Sequence, residues 1–253
     1  MKVVCIGSGN VATHLAVALK TAGAELVQIW SRDVEHAADL SRKVGAAAVG
    51  DLGQVISDAD LYLLSVADDA IPSIAAALPD TCGIIAHTSG ATDMNVLSAF
   101  MNYGVFYPLQ TFSKKRTIDF RNVPFCLEAG SSDVLSRLKG LAVLIGSPHY
   151  EVSSDQRKQL HLSAAFACNF VNHLYTIADR LLAEHELDFE VLRPLIAETA
   201  EKVRQYKPAA VQTGPAARND LRTMEQHLML LEGKPQLQEI YQMMSNSIKK
   251  TQA

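Results

Sequence analysis

Short apolar runs alternate with amphipathic stretches over residues 1–152, and glycine or another turn former separates them. KVVCIG, ELVQIW, AAAVG, DLYLLSV, CGIIAH, YGVFY and PFCLEA read as strands, each short and several of them rich in β-branched or aromatic residues. VATHLAVALKTAG, DVEHAADLSRKVG, DDAIPSIAAAL and SSDVLSRLKGLAVLIG carry helical spacing. In the second of these, Asp33 stands at the N-cap and Gly45 at the stop. Strands alternating with helices predict a parallel sheet. From Ser153 the pattern changes. Ser153 and Gln156 form a capping box, and a helix then runs from Gln156 to Glu186 without a proline or glycine. FEVLRPLIAETAEKVRQY, LRTMEQHLMLLEG and LQEIYQMMSNSIKK follow as helices. The expected architecture is α/β: a domain over 1–152 with a mostly parallel sheet, then an all-α domain over 153–253.

Gly7-Ser8-Gly9-Asn10-Val11-Ala12 lies between the first strand and the first helix and matches G-x-G-x-x-G/A. In that pattern Gly7 makes the tight turn, Gly9 lets backbone approach a pyrophosphate, and Ala12 permits close helix–strand packing. The amides that open the helix then face negative charge.

The second strand ends QIWSRD. Its apolar run stops at Trp30, so Ser31 holds the tip and Arg32 follows. A carboxylate at the tip accepts from a ribose hydroxyl and selects NAD; a cation with small donors suits the 2′-phosphate of NADP. Ser31 and Arg32 therefore predict NADP(H). The competing arrangement turns Asp33 inward to bind NAD. Ligands sit at the carboxyl ends of the strands, which adds Ser65, Val66 and Ala67 near the nicotinamide ribose, and Thr88, Ser89 and Gly90 beside the ring. Of Asp68 and Asp69, one is expected to cap the next helix.

Composition narrows the classes. The net charge is -4 with no long basic run, against a sequence-independent nucleic-acid binder. Apolar residues make up 48%, enough for a substantial core. No apolar run is long enough to suggest a membrane span, and a cytoplasmic protein is expected. Cys5, Cys82, Cys126 and Cys168 are scattered in apolar contexts and are expected to be buried thiols. No metal-ligand spacing, nucleophile elbow or P-loop lysine occurs, so no metal is expected. Twelve of fourteen glycines precede residue 153, which places the boundary between the sheet and the helices.

IGSGNVATHLA, WSR, LLSVADDAI, HTSGA, YPLQTFS and QTGPAARND, in this order, resemble the Rossmann-like NADP oxidoreductases with a C-terminal domain of unknown function. That family is similar in architecture to pyrroline-5-carboxylate reductase, ketopantoate reductase and 6-phosphogluconate dehydrogenase relatives. The resemblance covers nearly the whole chain. It implies a Rossmann domain, a 6-phosphogluconate dehydrogenase C-terminal-like helical domain and a homodimer through the helices; it supplies no substrate.

A reductase of this plan needs a proton donor near its substrate. On the long helix His161, Ala165, Cys168 and Asn172 share one face at i, i+4, i+7 and i+11, with Lys158 one turn earlier on a neighbouring stripe and Asn169 at the edge. His161 is expected to be the acid and Asn172 to orient substrate, with Lys158 as a further candidate and His87 as a rival acid from the sheet. Related reductases often place lysine and asparagine four apart here; from His161 that spacing lands on Ala165, and the pair is absent. Gln110 and Thr111 of YPLQTFS, with Ser113, are placed to meet an anionic substrate, and Arg218 beyond the Gly214-Pro215 break suits a carboxylate. Two functions are open: an NADP(H)-dependent oxidoreductase reducing a small carbonyl or imine, carboxylate-bearing in one version, and a noncatalytic NADP(H)-binding redox sensor or scaffold.

Overall fold

Eight strands form one sheet in the computed structural model, which describes residues 1–252. They are β1 (Lys2–Ile6), β2 (Glu25–Trp30), β3 (Ala47–Val49), β4 (Leu61–Leu64), β5 (Ile84–His87), β6 (Tyr103–Pro108), β7 (Phe125–Ala129) and β8 (His149–Glu151), in the order β3-β2-β1-β4-β5-β6-β7-β8. Every pairing is parallel except β6 with β7. β1 and β4 lie side by side at the sheet's centre, where the strand order reverses, and they are buried on both faces. Such switch points leave a crevice beyond the strand ends.

Helices α1 (Asn10–Thr21), α2 (Val34–Val44), α3 (Ile71–Ala77) and α4 (Ser132–Leu144) connect the strands. The Asp33 carboxylate accepts from the amides of Glu35 and His36, and Gly45 closes α2 in the left-handed region at φ +71°. Leu15, Leu19 and Ala16 of α1 and Leu40 of α2 pack with Val3, Cys5 and Ile29 on one side of the sheet. Val4, Ile6, Tyr62 and Ile71 pack on the other.

The chain divides into two compact units, Met1–His173 and the residues from Leu174 onward. The first therefore takes in α5 (Ser154–Ala164), which opens with the expected capping box, and the turn that follows it. Beyond α5 the long helix does not stay α-helical. Ala165–Phe170 form a π-turn before α6 (Val171–Ala183) begins.

The second unit holds most of α6 together with α7 (Arg193–Gln205), α8 (Leu221–Leu230) and α9 (Pro235–Gln252). Among its described residues only Ala216, Met224, Leu231 and Ser245 are buried, while Leu187, Val191, Leu195, Val203, Leu230 and Met243 are exposed. Two expectations fail within the first unit. Cys82 and Cys168 are exposed, since one sits in the loop before β5 and the other on the π-turn; Cys5 and Cys126 are buried. No helix among the described residues is long and apolar enough to cross a membrane.

Candidate functional site

A groove of about 790 Å3 opens over the carboxyl ends of β1, β2, β4, β5 and β6, within the range of small-molecule sites. Gly7, Ser8, Gly9, Asn10 and Val11 line it, with Ser31, Arg32, Ser65, Val66, Ala67, Thr88, Ser89 and Gly90. Ala12 faces the other way, fully buried against the sheet.

The glycine turn is shaped for backbone contact. Gly7 has φ +121°, and a Cβ there would lie 2.2 Å from the Ser65 carbonyl oxygen. A Cβ on Gly9 would meet nothing within 4 Å, so that backbone is open to a ligand. Gly9 caps α1 without a side-chain bond, and no acidic residue stands in the first turn. The leading amides of a twelve-residue helix therefore have no side-chain acceptor at the cap and face the groove.

At the tip of β2, the Ser8 hydroxyl donates to the Ser31 hydroxyl at 2.9 Å in a buried pair. Arg32 is exposed on the groove wall, and His36 of α2 lines the same wall. Asp33 also borders the groove, but its Oδ1 is engaged by the α2 amides and its Oδ2 lies 3.5 Å from His36 Nδ1. Asp68 and Asp69 line the rim; the 3-10 turn they open is capped by Ala67 without a side-chain bond, so neither aspartate takes the capping role expected of one of them.

The other end of the groove is built from β5, β6 and α5. Thr88 Oγ1 lies 3.3 Å from the Leu64 carbonyl and 3.2 Å from Ser65 Oγ. Ser89 Oγ accepts the amides of Ala91 and Thr92 and so fixes the turn. His161 projects from α5 into the groove, with its Nδ1 3.1 Å from Tyr107 Oη. Burial, helped by Cys126, pushes the Tyr107 hydroxyl up to about 12, against the opposing pull of Arg157. A phenol that keeps its proton can donate to Nδ1 of the neutral imidazole or accept from Nδ1–H of the imidazolium, so the pair holds the ring in either protonation state. Gly90 makes this contact possible, because a Cβ there would lie 2.5 Å from His161 Nδ1 and 2.9 Å from Tyr107 Cζ.

Arg157, one helical turn before His161, is fully buried. Its Nη1 donates to the carbonyls of Ser89 at 3.0 Å and Thr92 at 2.7 Å; its Nη2 donates to Glu128 Oε2 and Ser154 Oγ, each at 2.9 Å. The guanidinium thus ties α5 to the loop that floors the groove. Breaking such a buried pair by removing one partner costs about 3–5 kcal/mol. The sequence offered one signal each for Arg157 and Tyr107: Arg157 lies four residues before His161 on the same helix face, and Tyr107 lies next to the end of a strand.

Other candidates fall elsewhere. Lys158 pairs with Asp93 at 3.0 Å and Asp155 at 3.7 Å, bracing the loop rather than facing the groove. Asn172 does not line the groove, because the π-turn holds an extra residue per turn and rotates everything after it off the His161 face. Asn169 and Cys168 lie on that turn and are exposed. Gln110 lines the groove, whereas Thr111 turns to hydrogen-bond the Gln110 side chain. Arg218 is exposed in the second unit, where Thr213–Ala216 line a separate apolar cavity of about 350 Å3 with His227 and Tyr241. His87 is fully buried at the end of β5 and accepts the Ser89 amide through Nδ1.

Burial and the nearby Arg157 push His87 down to about 4 from 6.5, so it is neutral and cannot be the acid. A depressed histidine contributes stability that is complete above pH 6.5 and is lost as pH falls toward 4. The loss is about 2 kcal/mol between pH 7.5 and pH 5. Urea unfolding across this range should show that dependence, and His87→Asn, which keeps an acceptor for the Ser89 amide, should flatten it.

Residues 1–111 match the model of a Rossmann-like domain, and residues 123–248 match a domain of unknown function (DUF2520). A structure of a putative NADP oxidoreductase from Bacteroides fragilis is 42% identical, covers 98% of each chain and superimposes with a TM-score of 0.91. The chain belongs to this Rossmann-like, DUF2520-bearing family. Its fold is also that of a Thermotoga maritima protein, at 20% identity, 99% and 98% coverage and TM-score 0.74. A reductive aminase from Aspergillus terreus, solved with NADPH and ethyl-5-oxohexanoate, shares it at 14% identity, 99% and 97% coverage and TM-score 0.74. A comparison with curated proteins finds no match. In this chain the groove is lined by the glycine turn, the Ser31-Arg32 tip and the Thr88–Gly90 loop.

Proposed function

We propose that this chain is an NADP(H)-dependent oxidoreductase that reduces a small carbonyl or imine. The observation that carries the reading is the single groove holding both the glycine turn with its Arg32 wall and the Tyr107–His161 pair. The open amides of α1 and the bare backbone at Gly9 suit a pyrophosphate. Arg32 and His36 suit the 2′-phosphate, and the engagement of Asp33 by α2 speaks against NAD. The 42%-identical relative is described as an NADP oxidoreductase, and the reductive aminase binds NADPH.

Reduced nicotinamide, when bound, supplies a hydride. The chain's own part is to hold the substrate and give a proton. His161 holds that proton at the groove wall, and the Tyr107 hydroxyl keeps its ring oriented. Arg157 fixes the loop beneath both. Gln110 adds an amide for a polar substrate group, a carboxylate among them.

Trp30 is the sole tryptophan and lines the groove, so quenching of its emission reports binding. NADPH should bind more tightly than NADH, and Arg32→Ala should cost NADPH about tenfold or more, the value of a charge-assisted hydrogen bond. Incubation with NADPH and a panel of cyclic imines, 2-keto acids and aldehydes then tests turnover. Tight NADPH binding with no absorbance loss across the panel favours the second reading, a noncatalytic redox sensor, which the missing lysine–asparagine pair supports. The sparse burial and exposed apolar side chains of the helical unit support a homodimer through that unit. A solution mass of one 27.5 kDa chain counts against it.

A further inference from the structure

We propose that the turn Lys114-Lys115-Arg116 is a phosphate-recognition element, held beside α1 one turn from the groove, so that its charge acts on the pyrophosphate of a bound dinucleotide. The inference rests on the nucleotide-binding reading above.

The groove by itself is poorly charged for a polyanion. Its lining carries one arginine, Arg32, against the three aspartates Asp33, Asp68 and Asp69. Helix α1 contributes only the partial charge of its open amides.

The segment after β6 supplies what is missing. Pro108, Gln110 and Phe112 line the groove as the chain leaves the sheet. Asn10, the first residue of α1, donates through Nδ2 to the Phe112 carbonyl at 3.1 Å. His14, one turn on, donates through Nε2 to the Ser113 carbonyl at 3.0 Å, and its ring lies 5.5 Å from that of Phe112. The segment is therefore strapped to the helix whose amino end faces the groove.

Directly past the strap the chain folds into a tight turn. The Arg116 amide donates to the Ser113 carbonyl at 3.1 Å, and the Lys115 amide donates to Ser113 Oγ at 3.3 Å. Three consecutive cations are thus held together rather than free to spread. All three are exposed, and among the described residues none has a carboxylate partner, whereas Lys2, Arg42, Arg121, Lys139 and Lys158 of the same unit each do.

Distance decides whether such a cluster matters. His14 lies about 6 Å along α1 from Asn10, and the turn begins at its hydrogen-bond partner. Screening extends to about 8 Å at physiological ionic strength. The turn itself does not line the groove, so its charge would reach the amino end of α1 through the long, flexible side chains of Lys114, Lys115 and Arg116 extended back along the helix. Repulsion among the three is relieved when a polyanion is present, and a cleft of one sign raises both capture rate and affinity.

The test titrates the full chain with NADPH and with NADH, followed through Trp30, from low to high salt, in wild type and in the K114Q/K115Q/R116Q variant. The expected result is a roughly tenfold loss of affinity for both dinucleotides at low salt, with their ratio unchanged and a flatter salt dependence in the variant. Superimposable titrations overturn the proposal. A loss confined to NADPH also overturns it, because the charges would then act on the 2′-phosphate. Failure of the wild-type chain to bind either dinucleotide sinks the nucleotide-binding reading itself, and this proposal with it; the other outcomes leave that reading standing.

Discussion

Gly7→Ala is expected to abolish NADPH binding, with an affinity loss of more than about 100-fold, and to destabilise the first unit by about 3 kcal/mol or more. Two effects combine. A φ of +121° lies where side-chain-bearing residues are strained. The new Cβ would also sit 2.2 Å from the Ser65 carbonyl oxygen and 2.8 Å from its carbon, which are backbone atoms that no rotamer change moves aside. Relief requires β1 and β4 to part at their carboxyl ends, where Gly7 donates to the Trp30 carbonyl and Ser65 donates to the Ile6 carbonyl. Urea unfolding and Trp30 quenching read the two consequences separately. An alanine variant with normal stability and normal binding would show that the glycine turn is not the cradle described.

Gly90→Ala should have the opposite profile: NADPH affinity within about threefold of wild type, and turnover on a reducible panel substrate down by roughly 100-fold, within the range for general acid catalysis. Its Cβ would meet His161 Nδ1 at 2.5 Å and Tyr107 Cζ at 2.9 Å, both on side chains that can swing away. The fold therefore survives, and what is lost is the hydrogen bond that orients the imidazole. In a His161→Ala background the same substitution should cost little further turnover, since the imidazole it would misorient is gone and only the Tyr107 ring remains to be displaced. Additive losses in the double variant would place the role of Gly90 elsewhere.

Much of the sheet was legible from residues because its signals are local. The β-branched runs around Val3, Val4 and Ile29 need no tertiary knowledge, and Asp33 and Gly45 announced both ends of α2. The cofactor side of the groove was legible for the same reason: a turn at the end of one strand and the tip of the next are fixed by chain order. The side built from β5, β6 and α5 was not. His161 appears in the groove, but its partner Tyr107 is hidden in an apolar strand, where it reads as core. Arg157 sits in the polar stretch SDQRK, which reads as a solvated first turn, yet it is fully buried because three loop carbonyls and Glu128 converge on it from distant sequence. The β8 strand is only three residues long. The π-turn within AFACNF has no compositional mark, so an ideal helical wheel aligns Asn172 with His161 whereas Asn172 does not line the groove.

That π-turn amounts to one additional codon accommodated inside a rod. Excising a residue from Ala165–Phe170 would rewind the segment to ordinary α geometry and swing Leu174, Ile177 and Leu181, which line the apolar cavity of the second unit, about 100° around the axis. Arg157 and His161, lying upstream, would keep their aim.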